Sequence, residues 1–303
     1  MINKNINEKQ ETTKAYFQLH LSVLFWGFTA ILGKIISVSA LTLVWWRMVI
    51  TSVCLFFILK SLKDWKKVSE LPRNVLFKVM GIGCLVALHW LAFYGAIKLA
   101  NASVAVVCIA TMSLFTALIE PLINKSRFQW YEVGIGVVII PAMMLIFNNL
   151  GENMTMGFVV GIVAAILSSC FSILNKIMLK EVEPLAMTFI EIGSGGILLT
   201  LLMPLYFIQN PDAQFIPTQM DWIWLFVLSI FCTILPYVMS LFALQKLSAF
   251  TTVLAVNLEP VYGVLLAYFL LHEDRELNLQ FYIGVAIIVG SVMIHPFLRK
   301  KNV

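Results

Sequence analysis

The fold of this chain is constrained above all by ten apolar runs, each about as long as a helix needs to cross a bilayer. A transmembrane helix takes about 20 mostly apolar residues, and these runs are separated by short charged or turn-forming breaks. We place them at residues 16–38, 40–60, 74–97, 100–124, 128–148, 156–180, 183–208, 220–245, 248–271 and 278–298. The pattern predicts an all-α integral membrane protein with ten transmembrane helices.

The composition excludes a soluble globule. Hydrophobic residues make up 60% of the chain and charged residues only 12%, whereas soluble domains have about 25% charged residues. The basic residues are dispersed at the ends of apolar runs, so a nucleic-acid partner is not predicted. Each cysteine stands alone in an apolar run with no metal-ligand spacing. We therefore expect no metal and no cofactor.

The distribution of lysine and arginine predicts the orientation in the membrane. With a cytoplasmic N-terminus and ten spans, nearly all of these residues fall on the cytoplasmic side, and only Lys34, Lys98 and Arg275 fall outside. Positively charged residues accumulate in cytoplasmic loops. The sequence therefore predicts a multi-pass membrane protein with both termini in the cytoplasm.

An internal repeat relates the two halves of the chain. At an offset of 148, residues 98–103 lie over residues 246–251 and Gly136 lies over Gly284, while residues 40–47 can be laid over residues 184–191. Spans 1–5 therefore correspond to spans 6–10 in order. Because five is odd, the second copy starts on the opposite side of the membrane. Such inverted repeats are a recurrent transporter architecture, with a midplane site between the halves.

The repeat divides the chain into five parts. A cytoplasmic tail is predicted at 1–15, the first repeat at 16–148, an outside linker at 149–155, the second repeat at 156–298 and a basic cytoplasmic tail at 299–303. The halves differ at two matched positions, where Met112 stands opposite Pro260 and Ala40 opposite Pro184. The two halves therefore need not move symmetrically.

Short motifs in this order resemble the drug/metabolite transporter superfamily, specifically bacterial members with two EamA domains. They are the run at residues 21–27, Arg47 in span 2, the sequence at 258–261, the sequence at 270–273 and Ile283-Gly284. The resemblance covers nearly the whole chain. It implies a secondary transporter of the bacterial inner membrane for amino acids or related metabolites, with export as the predicted direction and import as the alternative.

Two charged residues at membrane depth are the main candidates for substrate binding. Arg47 lies in span 2, and its charge costs roughly 2.5–3.5 kcal/mol at a helix centre. It is a candidate clamp for a carboxylate or phosphate, the alternative being a structural or snorkelling arginine. Glu259 in span 9 could bind an ammonium group, pair with Arg47 or carry a proton, the alternative being a buried acid satisfied by Asn257 or a neighbouring hydroxyl. Pro260 beside it predicts a helix kink that frees the carbonyl of Val256.

Aromatic residues and one histidine complete the predicted site. His89 lies deep in span 3, where a lone histidine is more often a packing residue than a proton carrier. The aromatic candidates for an amphipathic pocket are Trp26, Trp46, Trp90, Tyr94, Tyr237 and Tyr262. Aromatic side chains also serve as interface anchors and as packing groups, so this pocket is a hypothesis.

Two further acids lie within predicted spans. Glu191 is aligned with Arg47 by the repeat, whereas Glu120 lies close to the cytoplasmic end of its span and receives no site role. The glycines at 193, 195 and 196 indicate close helix packing.

The sequence predicts a transporter and not an enzyme. It contains no Walker A motif, and one deep histidine with scattered acids does not form the cluster that an intramembrane enzyme needs. A small-molecule substrate and the lipid bilayer are the predicted partners. A channel or structural membrane subunit is the alternative that the repeat leaves open, and the residues leave both proton coupling and uniport open.

Overall fold

The computed structural model describes residues 2–146, 154–262 and 279–302, and these residues form helices and short connections without a strand. The helices are α1 (Ile2–Trp26), α2 (Thr29–Ile35), α3 (Ala40–Ser61), α4 (Lys66–Ser69), α5 (Arg73–Leu99), α6 (Ala102–Ala110), α7 (Met112–Asn124), α8 (Trp130–Ile146), α9 (Thr155–Met178), α10 (Pro184–Gln209), α11 (Gln219–Ser229), α12 (Leu235–Lys246), α13 (Ala249–Val256) and α14 (Leu279–Asn302). A π-helical segment, Ile230–Ile234, joins α11 to α12.

Seven segments in the described part of the chain are long and apolar enough to cross a membrane. They are Gln10–Ile35, Ala40–Ser61, Arg73–Leu99, Val104–Asn124, Thr155–Met178, Pro184–Gln209 and Gln219–Lys246. Two shorter apolar helices cover Trp130–Leu145 and Tyr282–Leu298. The end of predicted span 9, beyond residue 262, lies outside the described residues.

Most of the N-terminal tail predicted at 1–15 and of the C-terminal tail predicted at 299–303 is helical. Helix α1 begins at Ile2 and α14 runs to Asn302, so both apolar spans continue as helix into polar sequence. The physical reason is that Glu, Gln and Lys are good helix formers and no proline or glycine interrupts residues 2–26. Secondary structure therefore does not mark where the apolar spans end.

Several spans are broken in the middle. The first is interrupted at Gly27-Phe28, the fourth at Thr111 and the ninth at 257–258, after which residues 259–262 are helical again. The break in span 9 stands just before Pro260, where the sequence predicts an irregularity. Pro260 has no N–H for the usual bond to the carbonyl of Val256. Irregular backbone at membrane depth is tolerated where it is buried in protein or lines a cavity.

The turns that follow α5 and α12 are built alike, although the capping residue is displaced by one position between the two repeats. Asn101 accepts a hydrogen bond from the backbone N–H of Val104 at 2.8 Å, and Ser248 accepts one from Thr251 at 3.1 Å. Both side chains cap the N-terminus of the next helix by satisfying an N–H that has no partner within the helix. The two short helices that they start, α6 and α13, both end at mid-span.

Lysines tie helix ends together at both ends of the bundle. Lys98 Nζ donates to the carbonyl of Ile36 at 2.6 Å, and Lys176 Nζ donates to the carbonyls of Leu244 and Gln245 at 2.6 and 3.1 Å. The last carbonyls of a helix have no partner within it, so an ammonium group satisfies them and complements the helix dipole. Each half of the chain thus has one such tie.

Helices α5 and α10 pack closely through glycine. A methyl group added at Gly83 would meet the backbone of Glu191 and the hydroxyl of Ser194, and one added at Gly195 would meet the carbonyl of Gly83 at 2.7 Å. Close packing was predicted for glycines 193, 195 and 196. It is confirmed for Gly195, whereas a methyl at Gly193 would meet no described atom within 4 Å.

We expect Gly83→Ala to lower the unfolding temperature because its methyl group would push α5 away from α10. Overpacking of this kind costs about 1–3 kcal/mol. Gly193→Ala is the matched control, since it adds the same methyl group to α10 in open space. Thermal unfolding of the two purified variants in detergent checks this, and an equal response from both would contradict it.

Candidate functional site

A cavity lies among helices from both halves of the chain. Its wall includes Trp26 and Thr29 from the first span, Arg47 from α3, His89 and Trp90 from α5, and Met112 from α7. The second half contributes Ser168, Ser172 and Asn175 from α9, Tyr237 and Ser240 from α12, Thr252 from α13, and Glu259. The cavity volume is about 110 Å³. A single water needs about 10–15 Å³ on this measure, so the space suits several waters or a small solute.

Arg47 is held in the cavity wall by neutral groups. Its Nε donates to Thr233 Oγ1 at 2.7 Å, one terminal nitrogen donates to the Tyr94 hydroxyl at 3.0 Å, and the other donates to the carbonyl of Cys232 at 3.3 Å. The guanidinium also lies over the ring of Trp90, 3.7 Å from its centre. A guanidinium has five N–H donors, so two remain for a bound solute.

The carbonyl that Arg47 reaches is available because of a local defect in the helix. Pro236 lies four residues after Cys232 and has no N–H to donate to it. The residues before Pro236 form the π-helical segment, a type of bulge that is frequent at functional sites. Thr233 donates its hydroxyl to Leu228 at 2.7 Å while accepting from Arg47. The defect in the eighth span therefore forms part of the arginine's binding site.

Glu259 stands where the ninth span resumes after its break. Its side chain lines the cavity, and it forms no hydrogen bond or ion pair with any described residue. Two of the alternatives for this acid, an ion pair with Arg47 and a hydrogen bond with Asn257, are absent among the described residues. The reason for the first is that Arg47 is already held by Thr233, Tyr94 and Cys232. An acid and a base thus face one cavity without neutralising each other.

A second acid lies just behind the cavity wall. Glu191 is completely buried, and its Oε2 accepts a hydrogen bond from the Tyr237 hydroxyl at 2.8 Å. With its amide oriented to satisfy both neighbours, Asn175 donates to Glu191 Oε1 at 2.8 Å and to the carbonyl of Phe171 at 3.1 Å. Tyr237 and Asn175 both line the cavity. The carboxylate is therefore one hydrogen bond away from the cavity at two points.

His89 contributes one ring nitrogen to the cavity wall. Its Nδ1 lies 2.8 Å from the carbonyl of Ala164, and because a carbonyl only accepts, Nδ1 carries the hydrogen. Phe171 packs edge-on against the imidazole with the ring centres 5.3 Å apart. The remaining nitrogen, Nε2, is the one that could meet a solute.

Of the predicted site residues, Trp26, Arg47, His89, Trp90, Tyr237 and Glu259 line the cavity. Tyr94 lies behind Arg47 and touches it. Trp46 does not line the cavity: it packs against Trp222 with ring centres 4.6 Å apart and donates to the carbonyl of Phe215 at 3.0 Å. The pattern of aromatic residues alone could not separate this cluster at a helix end from the cavity wall.

The last two predicted residues also lie off the cavity wall. Asn257 is 1% exposed, and neither amide atom has a hydrogen-bond partner within the described ranges. The Tyr262 hydroxyl lies 3.1 Å from His20 Nδ1 and joins the ninth span to the first. Pro260 follows the break at 257–258.

Sequence reasoning missed the hydroxyl and amide groups of α9. Ser168, Ser172 and Asn175 follow one another at intervals of four and three residues, so they share one helix face, and all three line the cavity. That spacing of polar side chains within an apolar run was the available signal. Thr29, Ser240 and Thr252 line the cavity and were missed as well; Thr29 and Ser240 each stand alone between apolar neighbours in the sequence.

The apolar helices around a cavity with a few polar groups define a multi-pass membrane protein that handles a small molecule. The model of the EamA-like transporter family matches residues 13–148 and again 155–295. The chain therefore belongs to the EamA-like transporter family, and the resemblance noted from its motifs is confirmed. It is a membrane transporter and not an enzyme, with a small-molecule substrate and the lipid bilayer as partners.

Two relatives and one solved structure are similar to this chain over most of its length. An uncharacterised transporter of Haemophilus influenzae is 24% identical over 319 residues, covering 97% of this chain and 99% of the relative. An uncharacterised transporter of Synechocystis is 22% identical over 241 residues, covering 75% and 70%. A crystal structure with 16% identity has a TM-score of 0.75 and covers 96% of this chain and 99% of its own. That last likeness shows the fold alone.

We expect Thr233→Val to destabilise the protein because it leaves the buried Nε of Arg47 without an acceptor. A hydrogen bond to a charged group contributes about 1.5–3 kcal/mol. Thr51→Val is the matched control: Thr51 lies on α3 with Arg47, is fully buried, and its hydroxyl has no partner among the described residues.

The measurement is again thermal unfolding in detergent. Thr51→Val should unfold at the same temperature as the parent or higher, since it replaces an unsatisfied hydroxyl with a methyl group. A loss of stability in Thr51→Val as large as in Thr233→Val would contradict the role given to the Arg47 bonds.

Proposed function

We propose that this protein is a secondary transporter that exports amino acids or related zwitterionic metabolites across the bacterial inner membrane by alternating access. The observation that carries this proposal is the cavity that Arg47 and Glu259 share without pairing. A zwitterion offers one carboxylate and one ammonium group. Arg47 has two N–H donors left for the first, and Glu259 has a free carboxylate for the second.

The size and lining of the cavity support a small solute of mixed character. Trp90 and Phe171 provide apolar surface, while Ser168, Ser172 and Asn175 offer hydroxyl and amide groups. Ligand sites are commonly apolar with a few placed polar groups that fix the orientation. An amino acid would place its carboxylate at Arg47, its ammonium group at Glu259 and an apolar side chain against the aromatic rings.

The proposal includes ten transmembrane helices arranged as two inverted repeats, 16–148 and 156–298, joined by an outside linker at 149–155. Seven long spans and two shorter apolar helices account for nine of the ten. The remaining one is predicted span 9, 248–271, which begins with α13 and residues 259–262. An even number places both termini on one side, and the basic loops favour the cytoplasm. The lysine ties join matched pairs of spans, the first with the third and the sixth with the eighth, although Lys98 and Lys176 are not themselves matched by the repeat.

The experiment that tests the function is counterflow of labelled amino acids in proteoliposomes that contain the purified protein. Saturable counterflow of one or a few amino acids would establish a carrier and its substrate class. Flux that does not saturate and shows no counterflow would favour a channel. A lack of flux for every amino acid in the panel would contradict the amino-acid proposal.

For an amino acid that shows counterflow, we expect Glu259→Gln to raise the KM on the order of tenfold or more. The reason is that a charge-assisted hydrogen bond contributes about 1.5–3 kcal/mol and about 1.4 kcal/mol corresponds to tenfold. Arg47→Ala should lower the flux of the same amino acid. Both should lower flux more than they lower the yield of folded protein.

Glu183→Gln is the control for this prediction. Glu183 is an exposed acid immediately before α10 that makes no side-chain capping bond, so the same chemical change occurs away from the cavity. Its KM should equal that of the parent. Unchanged flux in both Glu259→Gln and Arg47→Ala would remove these residues from the binding site.

A further inference from the structure

We propose that Glu191 is the binding site of a coupling proton, and that Tyr237 transmits its protonation to the cavity, so that the proton and the amino acid bind alternately. This inference rests on the proposed function, because it explains how export of that solute would be driven. It goes further in naming a site that does not touch the solute.

The surroundings of Glu191 favour reversible proton binding. The side chain is completely buried, and its two hydrogen bonds come from the neutral groups of Tyr237 and Asn175. Neutral donors lower the free-energy cost of a buried carboxylate without cancelling its charge, and no cation in the described part of the chain forms an ion pair with it. Neither protonation state is locked by a neighbouring charge.

The charged and titratable groups on the packed helices are committed elsewhere. Arg47 is bonded to Tyr94 and Thr233, His89 to Ala164, Lys98 to Ile36, and Lys176 to Leu244 and Gln245. On α3, α4 and α5, the remaining cations are exposed: Lys60, Lys66, Lys67, Arg73 and Lys78. The cysteines on α3 and α5, Cys54 and Cys84, are half-buried and free. Tyr237 is thus the titratable side chain in direct contact with Glu191.

Close packing closes the side of Glu191 that faces away from the cavity. Gly83 of α5 lies against the backbone of Glu191, and the Ser194 hydroxyl donates to the carbonyl of Met80 at 3.1 Å. A proton therefore reaches the carboxylate from the cavity, along Tyr237 or Asn175. This places the proton site and the solute site on one water-accessible route.

The coupling follows from the single hydrogen of the Tyr237 hydroxyl. When Glu191 is charged, Tyr237 donates to it and turns an oxygen lone pair toward the cavity, where an ammonium group could donate to it. When Glu191 gains a proton, an O–H bond forms at Oε2 and donates to the Tyr237 oxygen. The tyrosine hydrogen then points into the cavity and opposes an ammonium group.

The exchange is balanced at one proton per cycle. The proton taken up by Glu191 on one side of the membrane is released to water on the other, and Tyr237 only rotates its hydroxyl. Since each ligand weakens the binding of the other, the linkage is reciprocal. Proton entry would therefore accompany amino-acid exit, which is antiport.

The proton site is tested without a solute by infrared difference spectroscopy of the protein in vesicles during a pH titration. A protonated carboxyl group has its own C=O absorption, and we expect part of this band to disappear reversibly as the pH rises in the parent and in Glu183→Gln. That part should be missing in Glu191→Gln and retained in Tyr237→Phe. A band that is the same in Glu191→Gln and the parent would overturn the assignment of the proton to Glu191.

Coupling is tested with the amino acid that shows counterflow, in vesicles with a lumen more acidic than the medium. Initial uptake by the parent and by Glu183→Gln should rise several-fold over vesicles without a gradient, and this stimulation should be lost in Glu191→Gln and Tyr237→Phe. Stimulation that persists in Glu191→Gln, or is absent from a parent protein that performs counterflow, would overturn the coupling. Absence of counterflow in the parent would contradict the proposed function instead, while the infrared result would still decide the proton site.

Discussion

A guanidinium charge at membrane depth has to be held by protein groups, because the hydrocarbon around it offers none. In this chain Arg47 uses a threonine hydroxyl, a tyrosine hydroxyl, a backbone carbonyl and the face of Trp90. The first and third belong to the eighth span and the other two to the third. The arginine therefore joins the second, third and eighth spans, and with them the two halves of the chain, at the wall of the cavity.

The matched position in the second half carries the opposite charge and is treated in the same manner. Glu191 is held by a tyrosine hydroxyl and an amide, again without a counter-ion among the described residues. Trp90 and Tyr237 connect the two sites, since their rings meet edge-on with centres 6.4 Å apart. The difference is that the arginine keeps its charge at any working pH, whereas a carboxylate can lose its charge. The first half thus carries a group whose charge is permanent, and the second carries a group whose charge can change.

The positions of the long apolar helices could be predicted from the sequence, but the residues that line the cavity could be predicted only in part. Apolar runs are set by bilayer thickness, so the long spans could be read from residue type alone, and the predicted start at 40 and end at 245 lie within a residue of α3 and α12. Arg47 and Glu259 could be found because charge is rare at that depth. The cavity face of α9 was missed because serine costs little in a helix interior, and Trp46 was misplaced because an aromatic ring fits a pocket and an interface equally well. Which side of a helix faces the cavity depends on packing between distant spans, and a single sequence does not record that packing.

The breaks in the helices lie where the charges are, and this coincidence bears on how the protein could move. Residues next to the breaks in the first, fourth and ninth spans, Thr29, Met112 and Glu259, all line the cavity, and the π-helical segment of the eighth span supplies the acceptors for Arg47. An unbroken helix resists bending because each turn is closed by its own hydrogen bonds, whereas a break concentrates bending at one point. Among these spans, the first and the eighth are each also tied at one end, by Lys98 and Lys176 respectively. Helices that are interrupted at mid-span bend at the break, and these breaks lie at the cavity, so a change in what the cavity holds can act directly on the points where the helices bend.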